Sequence, residues 1–345
     1  MKKRAAVVVA RFAFLLATAG LLSACVTREP FIPANLEPGA QRTVELDATP
    51  FFPQDKYQCG PAALATVLSA SGATTTPDAL VPVVYLPARK GSLQVEMLAA
   101  PRKFGRLSYA LSRNLVSVLE ELGAGRPVLV LHNYGLPFWP RWHYAVVIGY
   151  DAATDKFILR SGKKRRTEWR ARTFMVAWHN GGRWAMVALR PGETPASADP
   201  TLYLEAAADF ERGASPADSR LAFDAAVQRW PAEPVAWIGR GTAEYRAGNV
   251  ANAARDYAAA LRIDPDNVGA RNNLAQSLLD LGCPALAREQ LAPVDAEALK
   301  SPLKEAVLDT RQHIEAAVVA TPVSEASRCA PQFQFLSPDA YTPHM

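Results

Sequence analysis

At 345 residues, 49% hydrophobic and 21% charged, the chain is long enough for more than one folded core and lacks the low apolarity of a disordered protein. Its formal charge is only +5, and Lys2, Lys3, Arg4 and Arg11 of the first 24 residues contribute to it with no acid beside them. Without that segment the chain is near neutral, which leaves no electrostatic case for a nucleic-acid partner.

The chain opens Met1-Lys-Lys-Arg4, continues through an apolar run broken only by Arg11, and reaches Leu22-Ser-Ala-Cys25. A basic start, an apolar core of about ten residues and small residues before a cut site describe a secretory signal over residues 1–24. The uninterrupted stretch 12–24 is short for a bilayer span, which disfavours the alternative of an uncleaved anchor. Leu-Ser-Ala-Cys resembles the lipobox of bacterial lipoproteins. That resemblance implies that Cys25 is lipidated and becomes the new N-terminus, and Val26 after it implies the outer membrane, facing the periplasm. Residues 25–44, with Pro30, Pro33 and Pro38 and little hydrophobic periodicity, read as a tether.

Residues 45–190 read as a first folded domain, organised around Gln54-Asp-Lys-Tyr-Gln-Cys-Gly-Pro-Ala-Ala-Leu-Ala-Thr-Val-Leu68. Cys59 stands at a loop-to-helix boundary, with Pro61 suited to a first helical position and Leu64, Val67 and Leu68 on one face of the helix that follows. A thiol at a helix N-terminus is expected to have a lowered pKa, because the aligned peptide dipoles favour thiolate. Further helices are expected from Thr74-Thr-Thr-Pro-Asp, from Ser92 as N-cap with Leu93, Met97 and Leu98 facing the core, and over 114–122. Gly125-Arg-Pro-Val-Leu-Val-Leu131 reads as a buried strand, and 143–150, 156–160 and 183–189 as more strands. Lys163-Lys-Arg-Arg166 is the one dense basic patch and reads as a solvated turn between strands. Helices first and antiparallel strands afterwards make an α+β domain.

A cysteine nucleophile needs a histidine close in space. His143, opening the strand His143-Tyr-Ala-Val-Val-Ile-Gly149, is the candidate. Gln54 can supply a side-chain N–H to an oxyanion, with the Cys59 backbone N–H as second donor. The Gln54…Cys59-Gly-Pro-Ala-Ala-Leu64 block, followed by His143-Tyr-Ala-Val-Val-Ile-Gly-Tyr-Asp151, resembles the bacteriocin-processing, papain-like cysteine peptidases over roughly residues 45–190. The resemblance implies that Gln54, Cys59 and His143 are oxyanion donor, nucleophile and general base. It also implies a catalytic Asp at the end of the next strand, where this chain has Ser161; Asp151 and Asp155 stand at the end of the histidine strand and in the turn after it. A serine accepts a hydrogen bond from imidazole but stabilises an imidazolium less than a carboxylate does. Members of that family cut leader peptides after paired glycines and are usually fused to an exporter. No nucleotide-binding motif occurs in this sequence, so the substrate stays open, as does hydrolysis against acyl transfer. His132 is expected as a structural residue at a strand end, with lining of the cleft as the alternative, His179 as an exposed residue of a His-Asn-Gly-Gly turn, and the aromatic 137–142 segment as a groove wall or core packing.

Residues 191–199 are a linker by composition. Beyond it a period of 34 residues relates Tyr203, Trp237 and Arg271, then Phe223, Tyr257 and Leu291, and also Gly248 with Gly282 and Pro231 with Pro265. Trp237, Gly241, Ala253, Tyr257, Ala260 and Pro265 match the tetratricopeptide pattern, in which small residues let two helices approach and Pro ends the second. An all-α repeat domain over 200–320, in units of about 200–233, 234–267 and 268–301 with a closing helix over 303–319, follows, then a Pro-rich tail over 321–345. Cys283 and Cys329 are either a disulfide of an oxidising compartment or two unrelated thiols. The expected protein is a papain-like cysteine peptidase domain followed by tetratricopeptide repeats. It is anchored through Cys25, acts through Cys59, His143, Gln54 and Ser161 without metal or cofactor, and uses its repeats to recruit a peptide or protein. The alternative is a low-activity or inactive peptidase-like binding module.

Overall fold

The computed structural model describes residues 43–54, 58–136, 138–320 and 329. The expected signal over 1–24, the expected lipidation site Cys25 and most of the tether and tail lie outside the described residues.

The first domain is built on an antiparallel sheet. Its strands are β1 (Val44–Glu45), β2 (Leu107–Ala110), β3 (Val128–Asn133), β4 (Trp142–Asp151), β5 (Lys156–Ser161), β6 (Lys164–Arg170) and β7 (Ala185–Leu189). They lie in the order β2-β7-β3-β4-β5-β6, with β1 pairing with β4. Residues 142–151 and 128–133 are long apolar runs because the central strands are covered on both faces; β3 is buried throughout. On one face, helix α1 (Cys59–Ala70) sets Leu64, Val67 and Leu68 against Leu129, Leu131, Tyr144, Val146 and Ile148, with α2 (Pro77–Val84) and α3 (Gln94–Ala99) beside it. Thr76 caps α2, and Asn114 caps α4 (Leu115–Gly123) with an N–H···Oδ1 bond from Ser117 of 2.9 Å. On the other face, α5 (Ala171–Asn180) stacks Phe174 on Phe157 with ring centroids 4.1 Å apart and buries Trp178 completely.

Four local expectations are corrected. The α1 helix begins at Cys59, two residues before Pro61, so the proline sits inside the first turn. Leu93, not Ser92, precedes α3, and its side chain is 39% exposed, whereas Met97 is buried. Lys164–Arg166 belong to β6 rather than a turn, Arg166 being paired with Glu45 and Glu168 across the surface. His179 ends helix α5 instead of standing in a turn, although it is exposed as expected.

Arg160 on β5 is 2% exposed, and its guanidinium donates to the carbonyls of Asp47, Thr49 and Arg165 at 2.7–3.3 Å. A buried guanidinium saturated by carbonyls ties the entering chain to the strand that ends at Ser161, and so fixes where Gln54 begins.

The second domain is helical: α6 (Pro200–Glu211), α7 (Pro216–Arg229), α8 (Pro234–Arg246), α9 (Val250–Ile263), α10 (Val268–Asp280), α11 (Pro284–Leu291) and α12 (Leu303–Ala320). Gly248 and Gly282, one repeat apart, adopt φ of +82° and +74° in the turns after α8 and α10, a left-handed conformation glycine takes without strain. Within the central repeat, Tyr257 is buried and Trp237 donates its indole N–H to the Pro231 carbonyl at 2.9 Å. Gly239 faces the ring of Phe223 so closely that a side chain would collide with it. Cys283 and Cys329 form a disulfide, with Cα atoms 5.8 Å apart, inside the core of α9–α12.

Residues 191–199 do not hang free. Ser197 is buried, its N–H and O–H both donating to Glu121 Oε1 at 2.8 Å, while Arg126 donates to Oε2 of the same fully buried carboxylate at 2.6 Å. Tyr109 of β2 donates to the Ser197 carbonyl at 2.8 Å and accepts from the Asp199 N–H at 3.2 Å. Helix α6 then packs on β2.

Candidate active site

Cys59 is held half-buried at the first residue of α1, and Gly60 after it lets Ser92 press against the backbone where any side chain would intrude. His143 is the second residue of β4 and lies directly opposite His132 on β3. Directly opposed residues of an antiparallel pair put their side chains on one face, so two imidazoles share one side of the sheet. Gln54, Cys59 and His143 all line one groove of about 1220 Å³, together with Ser92, Tyr144 and Gly162.

Gln54 is locked by the strand ends around it. Its backbone N–H donates to the Gly162 carbonyl at 3.0 Å, its Oε1 accepts from the Gly162 N–H at 2.9 Å, and its Nε2 donates to the Tyr144 carbonyl at 3.3 Å. A carboxamide nitrogen has two hydrogens, so one remains for a ligand in the groove. His143 Nε2 lies 2.9 Å from the Ser161 hydroxyl. Asp151 is occupied by Thr43, Ala153 and Thr154, and Asp155 by the Tyr150 hydroxyl. Neither contacts His143 in the structure. Ser161 is thus the hydroxyl set against the imidazole.

The electrostatics reverse one expectation. The Cys59 sulfur receives the backbone N–H groups of Tyr144, Gly60 and Cys59 itself, all of which favour thiolate, yet burial outweighs them and pushes the thiol pKa up. Burial also pushes His143 down to about 4. At neutral pH the resting pair is therefore neutral thiol and neutral imidazole, not a preformed ion pair.

Two residues that sequence reasoning left out of the site stand next to it. The Tyr134 ring is 5.4 Å from that of His143, its hydroxyl is in polar contact with Ser161, and it lies 3.3 Å from His132 Nδ1. His132 is fully buried, stacked on Trp169 at 5.3 Å and meeting the edge of Phe174 at 5.1 Å. The spacing of His132 and Tyr134, two apart at the end of a strand, was the available signal, since alternate residues share a face. From the 137–142 segment, Pro140, Arg141 and Trp142 line the groove, while Phe138 and Trp139 project into solvent. Among the described residues no cluster of His, Cys, Asp and Glu is arranged to hold a metal ion.

Residues 45–186 match the Peptidase_C39 like family, and residues 203–268 and 240–293 match the tetratricopeptide repeat. The chain thus carries a C39-like peptidase domain with an antiparallel sheet, followed by a helical tetratricopeptide region. Among solved structures it is similar to a candidate C39-like peptidase from Bacillus anthracis, at 16% identity and a TM-score of 0.37, over 43% of this chain and 98% of that one. No curated protein matches the chain.

Proposed function

We propose that the chain is a cysteine peptidase of the bacterial envelope, lipid-anchored through Cys25 at the outer membrane and facing the periplasm. In the reaction, Cys59 Sγ attacks a peptide carbonyl carbon as its proton passes to His143. The oxyanion is held by the Cys59 backbone N–H and the free N–H of Gln54. The imidazolium returns the proton to the leaving amine, and water then hydrolyses the thioester. The observation that carries this reading is Gln54, locked by Gly162 and Tyr144 with one N–H left over, in the same groove as Cys59 and His143. Among the described residues that line the groove, Arg89, Arg113 and Arg141 are cationic. Peptides with acidic residues flanking the cut site fit that field, and their cleavage should weaken with salt. The Cys283–Cys329 bond suits an oxidising compartment, and the repeats provide a surface for a protein partner or substrate.

The test is covalent labelling of Cys59 by an electrophilic probe. Wild type should label faster at neutral pH than the His143→Ala variant, and Cys59→Ala should not label at the site. Equal rates in wild type and His143→Ala refute the peptidase. The binding-module reading, favoured by the neutral resting pair and by Ser161 in place of a carboxylate, then takes over. Cys25→Ser should release the protein from the membrane fraction, and wild-type protein free in the periplasm would refute the anchor.

A further inference from the structure

We propose that Tyr134 and His132 are positioning residues for His143: with Ser161 they form a chain of hydrogen-bonding groups, ending on the buried His132 imidazole, that takes the place of the missing carboxylate. This rests on the peptidase reading and adds to it how a Cys–His pair works without an acid.

Two of the three links are at hydrogen-bonding distance, and the Ser161 and Tyr134 hydroxyls interact between them. His143 Nε2 is 2.9 Å from Ser161 Oγ, the Ser161 and Tyr134 hydroxyls are in polar contact, and Tyr134 Oη is 3.3 Å from His132 Nδ1. Bonds of this kind are often long in an unliganded enzyme and tighten as charge develops. The far end is the telling part. His132 has no exposed surface and its Nε2 is buried with no partner. A phenylalanine would occupy the slot between Trp169 and Phe174 without burying an unpaired polar atom, so packing alone does not account for an imidazole there. What imidazole adds is Nδ1, which faces Tyr134.

The direction of the bonds follows from the protonation states. Burial and the neighbouring His143 hold His132 neutral, with a pKa near 3, so Nδ1 can act as acceptor when Nε2 carries the hydrogen. When His143 takes the thiol proton, its Nε2–H donates to Ser161, the Ser161 hydroxyl to Tyr134, and the Tyr134 hydroxyl to His132 Nδ1. Every oxygen then turns its negative end toward the imidazolium, and no proton leaves the chain. Of the other groups around His143, Tyr144 from β4 is uncharged, and the negative charge that Cys59 from α1 gains with the transfer passes to the substrate as the sulfur forms its bond; Arg89, Arg113 and Arg141 line the same groove as cations.

The experiment is the rate of Cys59 alkylation by iodoacetamide against pH in the full chain. The variants are Tyr134→Phe and His132→Phe, each made in wild type and in Ser161→Asp, with His143→Ala as reference. In wild type, Tyr134→Phe should lower the rate at pH 7 by about three- to tenfold, the scale of one lost hydrogen bond, and move the rising limb to higher pH. His132→Phe should do the same. In the Ser161→Asp background both effects should vanish, because a carboxylate on the imidazole makes the rest of the chain redundant. A packing role would act equally in both backgrounds, and that result overturns the proposal. So does an unchanged profile for Tyr134→Phe while His143→Ala is slow, in which case the peptidase reading survives and the relay alone fails. If His143→Ala also matches wild type, both fall. Tyr134→Phe keeps the ring and removes only the hydroxyl, so it decides the matter should His132→Phe not fold.

Discussion

His132 makes the first domain acid-labile in a way that can be isolated by one substitution. In the unfolded chain an imidazole has its ordinary pKa of 6.5, whereas in the folded domain burial and the neighbouring His143 lower His132 to about 3. A base with a depressed folded pKa contributes its full stability above 6.5. It loses that contribution as the pH falls toward 3, because the unfolded state takes up the proton and the folded state does not. Between pH 7 and pH 4.5 the unfolded imidazole goes from mostly neutral to almost fully charged, which costs about 2.5 kcal/mol of stability from this residue alone. His143, lowered to about 4 by burial, acts in the same sense. Urea unfolding followed by the fluorescence of Trp178 and Trp184, which are buried in this domain, measures the sum at each pH. Carboxylates contribute equally to wild type and His132→Phe, so the difference between their pH slopes reports His132. Wild type should lose about 2.5 kcal/mol more than the variant over that interval. Parallel loss in the two proteins would mean that His132 accepts a proton in the folded state, and the argument for its neutrality would fail.

Other outcomes are equally definite. Reducing the Cys283–Cys329 bond, which closes a loop of sequence separation 46, should destabilise the repeat domain by about 4 kcal/mol on the chain-entropy account. An unchanged far-UV melt under reductant would argue that the bond does not form. Glu121→Ala leaves Arg126 and the Ser197 N–H and O–H without their carboxylate and should cost about 3–5 kcal/mol in chemical denaturation, while Glu121→Gln should cost less. Gly239→Ala drives a methyl into the Phe223 ring and should cost about 1–3 kcal/mol, read as a lower melting temperature. Arg160→Met should uncouple the 47–49 segment from β5 and slow peptide cleavage through misplacement of the oxyanion donor Gln54, with Cys59 alkylation little changed; normal cleavage would show that Gln54 is held without it.

The repeat domain was legible because its contacts are local. A helix of a repeat packs on its neighbour in sequence, so the 34-residue period of Trp, Gly, Ala, Tyr and Pro already states which faces meet. Helix α5 was missed for the opposite reason. Only Ala171, Phe174, Ala177 and Trp178 of Ala171–Asn180 form its buried stripe, between an arginine-rich start and a Gly-Gly end that reads as a turn. Its helicity rests on the slot that Phe157 and β3 provide. Of the candidate site, the sequence offered Gln54, Cys59 and His143 through a compact motif and a strand-opening histidine, and Ser161 through the family resemblance; the structure sets the first three on one groove and Ser161 beside the His143 imidazole.

By itself, then, the sequence determined which residues are candidates for the chemistry and which segments repeat, since both are properties of neighbours along the chain. Only the tertiary structure decided the state of those groups. The helix dipole predicts a thiolate at Cys59, but the fold buries the sulfur, and the cost of removing a charge from water exceeds what three backbone N–H groups return. His132 entered the site the same way, through the pairing of β3 with β4 that sets it opposite His143. Register and burial depend on residues far apart in the chain, and no local pattern encodes them.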